Sequence, residues 1–115
     1  MTDNFNTPVE QTTLNELKDI LEDEFPLLVN TYIEDADLRM LRLRSAVDAT
    51  DSAQVRAEAH ALKGSSRNLG ANPLGELFAR MEAMGSSGEI SDAGDLLLDI
   101  EQELSRTQDF LRAQI

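Results

Sequence analysis

The chain has no cysteine and no tryptophan, a single histidine and a single tyrosine. The lack of cysteine excludes a disulfide scaffold, a zinc–thiolate centre and a cysteine nucleophile. Aromatic residues make up only 4% of the chain, and Leu and Ala dominate an apolar fraction of 41%. Such a composition suits helix-on-helix packing better than sheets, which favour β-branched and aromatic side chains. No stretch approaches the ~20 apolar residues that cross a bilayer. The opening Met1-Thr2-Asp3-Asn4-Phe5-Asn6 lacks the basic start and apolar run of a secretory signal, so a cytoplasmic protein is expected. Positive charge is also scarce. Ten Lys and Arg face 22 Asp and Glu, for a net charge of −12. That excess serves solubility and repels phosphate backbones and anionic lipid, so neither nucleic acid nor a membrane surface is an expected partner. The 115 residues are enough for one domain with a core of its own.

What is present is helical. Residues 1 to 11 are polar and aperiodic and contain Pro8, which predicts a flexible arm ahead of a single domain over 12 to 115. Thr13-Leu14-Asn15-Glu16 has capping-box spacing, and Leu14, Leu17, Leu21 and Phe25 follow at helical intervals. Pro26 fits the first turn of a long second helix carrying Val29, Tyr32, Ala36, Met40, Leu43 and Val47. Asp51 and Gln54 are placed to cap a third helix, with Val55, Ala59, Leu62, Ser66 and Leu69 as its stripe and Gly70 as its stop. Asn72-Pro73 opens a fourth, with Leu74, Leu77, Phe78 and Met81 facing inward. Gly85-Ser86-Ser87-Gly88 reads as a loop, and Ser91 as the cap of a fifth helix carrying Ala93, Leu97, Ile100, Leu104 and Leu111. Short connections make neighbouring helices antiparallel. The expected fold is all-α, an up-and-down four-helix bundle with a short additional N-terminal helix across one end.

The chemistry concentrates on the third helix. At about 100° per residue, His60 lies roughly 160–180° from Leu62 and Leu69, so the imidazole faces water. Arg56, Lys63 and Arg67 fall within roughly 60° of it on one flank. Ala53, Ala57, Gly64 and Ala71 fall on the other, which is nearly bare of side chains. Gly64 costs about 1 kcal/mol relative to alanine inside a helix, and on the exposed face no core packing calls for it. A missing side chain one turn from His60 lets another protein approach the ring. Neutral imidazole is a nucleophile that forms covalent intermediates, and a neighbouring cation favours the neutral form. If the ring accepts a phosphoryl group, new negative charge arises one turn from Lys63, where a cation is worth more after transfer than before.

The run His60-Ala61-Leu62-Lys63-Gly64-Ser65-Ser66-Arg67-Asn68-Leu69-Gly70-Ala71 closely resembles the signature of histidine phosphotransfer (HPt) domains of bacterial multistep phosphorelays. The helix layout from about residue 13 onwards is similar as well. The resemblance implies that His60 is the phosphoacceptor, that Lys63 stabilises the phosphoryl group and that Gly64 gives the partner access. It further implies a polar residue on the next helix that bonds the imidazole, for which Glu82 is the candidate by position. Arg56 and Arg67 are candidates for a supporting or docking role.

By the same resemblance, the chain accepts a phosphoryl group from the phospho-aspartate of a receiver domain on a hybrid sensor kinase and passes it to the aspartate of a response regulator. It implies a free-standing, monomeric carrier and not an enzyme with autokinase activity; no P-loop or kinase-type nucleotide motif is present. It implies no cofactor or metal of the chain's own, the Mg2+ being supplied by the partner receiver. Other readings are a dimerisation and phosphotransfer fragment of a sensor kinase, a non-catalytic helical adaptor and a metal site. The first is normally fused to an ATP-binding domain, the second would lack the His or the Lys, and one His without clustered partners is poor support for the third.

Overall fold

The computed structural model describes residues 7–115. The helices are α1 (Gln11–Leu21), α2 (Phe25–Asp48), α3 (Ser52–Asn68), α4 (Asn72–Ser87) and α5 (Ala93–Arg112), with a single 3-10 turn at Glu22–Glu24 before α2. The last four form the bundle. Each packs on its chain neighbour, and α5 closes the ring against α2. The expected all-α bundle with a short extra N-terminal helix is the fold observed.

The apolar stripes meet along the bundle axis. Val29, Ala36, Met40 and Leu43 of α2 face Val55, Ala59 and Leu62 of α3, Leu74, Phe78 and Met81 of α4, and Ile100, Leu104 and Leu111 of α5, all buried. Each of the larger side chains contributes about 1.5–3 kcal/mol on leaving water. One polar pair sits inside this core, the Tyr32 hydroxyl and Ser66 Oγ at 2.8 Å. A second buried polar group, Glu58, accepts from Arg39 Nη1 at 3.1 Å and from Gln54 Nε2 at 2.6 Å.

α1 lies across the end of the bundle where α2 and α4 begin and α3 and α5 finish. Leu14 plugs it into the core. Polar contacts hold its length, since Gln11 Nε2 and Lys18 Nζ both donate to Gln114 Oε1, at 3.1 and 2.8 Å. Gly70 has φ of +82°, a left-handed conformation that turns the chain sharply out of α3. The tight turn brings Gly70 against Thr13 and lets its carbonyl accept from the Glu10 amide at 3.0 Å.

Several boundaries depart from the sequence-based expectation. The arm predicted over residues 1 to 11 falls partly outside the described residues, 1 to 6 among them. Its described part is packed: Pro8 and Val9 are buried and Gln11 already belongs to α1. The predicted Thr13 capping box does not form. The helix starts two residues before Thr13, whose hydroxyl instead donates to the Glu10 carboxylate at 2.5 Å. Gly85-Ser86-Ser87 is helix rather than loop, because Gly85 is buried against α3, and α4 ends only at Gly88 in the left-handed region. The N-cap of α5 is Asp92, one residue after the predicted Ser91, and makes no side-chain capping bond. Ala71 is buried rather than exposed, because α3 has ended before it. Asp51 does cap α3, its Oδ1 accepting from the Gln54 amide at 3.1 Å.

Candidate functional site

The site is built on α3 and completed by α4. α3 turns its Val55–Leu62–Ser66 stripe inward, which leaves His60 on the opposite side with its side chain 69% exposed. Gly64, Ala53 and Ala57 are exposed beside it, and a Cβ built on Gly64 meets nothing within 4 Å. That flank is open, as the sequence predicts.

The basic flank faces α4, and there the two helices touch closely. A Cβ on Gly75 would meet the Arg67 side chain at 2.8 Å, and one on Gly85 would meet the Arg56 backbone nitrogen at 2.6 Å. Between these two contacts α4 presents Glu82. One of its oxygens, Oε2, is 2.9 Å from His60 Nδ1, and the other, Oε1, is 2.6 Å from Lys63 Nζ. Glu82 is thus bonded through both oxygens, and its side chain is only 18% exposed. The Lys63 ammonium is the main cause that holds the Glu82 carboxyl below its usual range; partial burial opposes it and the His60 bond adds to it. A carboxylate in that state accepts only, so Nδ1 carries the ring hydrogen. In the neutral ring Nε2 is then the nitrogen with the free lone pair, and it makes no hydrogen bond among the described residues.

The structure therefore brings together His60, Lys63, Gly64 and Glu82. Arg56 and Arg67 stay on the same exposed flank without reaching the ring; the Arg67 guanidinium lies 3.6 Å from the Glu76 carboxylate. Sequence reasoning misses Gly75, which leaves room for the Arg67 side chain, and Gly85, whose missing side chain lets α4 approach the α3 backbone closely enough for Glu82 to reach His60. A glycine inside an otherwise apolar helical pattern was the available signal. It also misses that Lys63 is already paired: the stripe of cations beside His60 is partly neutralised by α4.

A paired imidazole with one open nitrogen, on a bare helix face, suits transfer of a group between proteins. The model of the Hpt domain family matches residues 27–110. Among solved structures, this chain is similar to histidine-containing phosphotransfer protein B (HptB) from Pseudomonas aeruginosa PAO1, with 28% identity, 95% of each chain covered and a TM-score of 0.91. No curated protein matches. The fold, the His60 helix and the family match over most of the chain agree, and the chain belongs to the Hpt domain family, the histidine phosphotransfer domains of phosphorelays.

Proposed function

We propose that His60 carries the phosphoryl group, taking it from the phospho-aspartate of a hybrid sensor kinase's receiver domain and giving it to the aspartate of a response regulator. The observation that carries this reading is the state of the ring, exposed, with Nδ1 held by Glu82 and Nε2 free beside Gly64. The receiver docks on the exposed face of α3. The Nε2 lone pair attacks phosphorus in line, the phosphorus–oxygen bond of the acyl phosphate breaks, and the aspartate leaves as its carboxylate. A second receiver reverses the step onto its own aspartate. Such transfer needs positioning and charge neutralisation more than covalent help from the protein.

Lys63 neutralises part of the incoming charge, Gly64 admits the partner, and Arg56 and Arg67 steer the acidic rim of a receiver towards the ring. Mg2+ comes with that acidic site. The carrier acts as a monomer without autokinase activity. Among the described residues no helix is long and apolar enough to cross a membrane, which agrees with a role in the cytoplasm.

The test mixes the protein with radiolabelled, phosphorylated receiver domains, wild type beside His60→Gln. Label that reaches the wild type alone, and that acid removes and alkali spares, supports phosphohistidine at His60. A folded wild type that takes no label from a broad receiver panel sinks the reading. Label taken directly from ATP would contradict the absence of autokinase activity, and a dimer by light scattering would contradict the monomer.

A further inference from the structure

We propose that Glu82 keeps the Nδ1 hydrogen on the His60 ring after phosphorylation, so that the carrier discharges quickly instead of storing the phosphoryl group. The proposal rests on His60 as the acceptor and concerns what happens once the group has arrived.

When Nε2 uses its lone pair to form the phosphorus–nitrogen bond, a ring that carries hydrogen on Nδ1 becomes an N-phosphoryl imidazolium. Two fates are open to it. If Nδ1 keeps its hydrogen, the next transfer breaks the phosphorus–nitrogen bond, returns the electron pair to Nε2 and releases a neutral imidazole. No proton moves in either direction. If Nδ1 gives its hydrogen to water, the same bond can break only by expelling an imidazolate anion, a far poorer leaving group. The protonation of Nδ1 in the phosphorylated state thus decides how fast the group moves on.

The structure places a carboxylate oxygen 2.9 Å from that nitrogen. A carboxylate that accepts from Nδ1 at this distance opposes loss of the ring hydrogen once phosphorylation has made the ring cationic, because an opposite charge in contact favours the charged form. A side-chain amide at the same place would keep the geometry and the hydrogen bond but not the charge. The other charged groups around the ring are few. From α3 come Lys63 and, further along the same face, Arg56 and Arg67; from α4 comes Glu82. Lys63 would favour loss of the Nδ1 hydrogen, but its ammonium is bonded to the second Glu82 oxygen at 2.6 Å. The phosphoryl group adds negative charge that acts in the same direction as Glu82. The low titration range of Glu82 keeps its charge in place throughout the neutral range. Glu82 is a positioning residue in this scheme, since it touches the ring and not the phosphoryl group.

The full chain is charged from a labelled receiver as wild type, Glu82→Gln and Glu82→Asp, cleared of donor, and followed for loss of label from neutral into mildly alkaline pH. Equal helical circular dichroism shows that the variants are folded. The wild type is expected to stay labile to higher pH. Glu82→Gln should hold its label about tenfold longer on the alkaline side, on the order of what removing one opposite charge in direct contact does. Glu82→Asp should move back towards wild type. Profiles for wild type and Gln that coincide, or a Gln variant that loses label faster, overturn the proposal. Nitrogen NMR of the phosphorylated wild-type ring needs no variant: a hydrogen on Nδ1 above neutrality supports it, and a bare Nδ1 there overturns it. A wild type that never takes label removes the reading of His60 beneath it, a failure that is distinct because it appears before any profile can be drawn.

Discussion

The backbone of Arg56 rests directly on Gly85: a Cβ added to Gly85 would lie 2.6 Å from the Arg56 nitrogen and 2.8 Å from its Cα. This contact lies one turn past Glu82 and sets how near α4 comes to His60. Gly85→Ala gains about 1 kcal/mol of helix propensity. The rigid backbone above it cannot yield, and overpacking costs about 1–3 kcal/mol. The variant should therefore unfold at lower urea concentration and transfer more slowly, because α4 and Glu82 are pushed outward. A more stable protein with unchanged transfer would show that the two helices part freely.

Gly64 is the opposite case on the neighbouring helix. Nothing lies within 4 Å of its added Cβ. Gly64→Ala should raise stability by up to about 1 kcal/mol in the same urea titration. Gly64→Gln should leave the fold intact and slow transfer from a receiver, because a long side chain stands where the partner docks. Rapid-quench rates equal to wild type in the Gln variant would remove the access argument.

Lys63→Ala should slow phosphorylation of His60 or shorten the life of the phosphorylated form; if neither changes, Lys63 does not neutralise the phosphoryl charge. The same variant tests the ion pair thermodynamically. Glu82 titrates below its usual range in the folded protein, chiefly because of Lys63. The stability it contributes is present above the range in which a free Glu titrates and is lost as pH falls through the lowered folded range. Without Lys63 that acid-side loss should be shallower in stability measured against pH. An unchanged acid limb would mean that the pair contributes nothing.

Tyr32 extends the pH argument to the alkaline side. Burial pushes its phenol up from 10.0 to about 12, against the opposing pull of the Ser66 hydrogen bond. The unfolded chain loses this proton first. Stability is complete below pH 10 and falls as pH rises towards 12. Tyr32→Phe should flatten that fall, and at neutral pH should cost about 1 kcal/mol or more, since Ser66 is left buried without its partner. Alkaline unfolding curves that superimpose would place the phenol's influence elsewhere.

How much of this was legible in the sequence depended on whether the cause was local. The Asp51 cap, the inward stripe of α3 and the outward His60 follow from spacing along one helix, and the structure shows all three. The exposure of Gly64 follows in the same way. The misplaced features depend on a second helix. Gly85 looks like loop punctuation until α3 is seen resting on it, and Ala71 looks exposed until α3 is seen to end before it. Thr13 has the spacing of a cap, but buried Pro8 and Val9 anchor an earlier start, at Gln11. Glu82 could be placed by counting turns. That it grips Lys63 as well as His60 could not, because the close approach of α3 and α4 depends on the missing side chain of Gly85.

The pairing of Tyr32 with Ser66 gives the molecule an optical reporter of its own. With one tyrosine and no tryptophan in the chain, its near-ultraviolet signal is dominated by a single phenol. That phenol is bonded to α3, six positions beyond His60 on the same helix. A displacement of α3 when a receiver docks or a phosphoryl group arrives thus changes the surroundings of one chromophore, and can be followed in the unlabelled, unmodified protein.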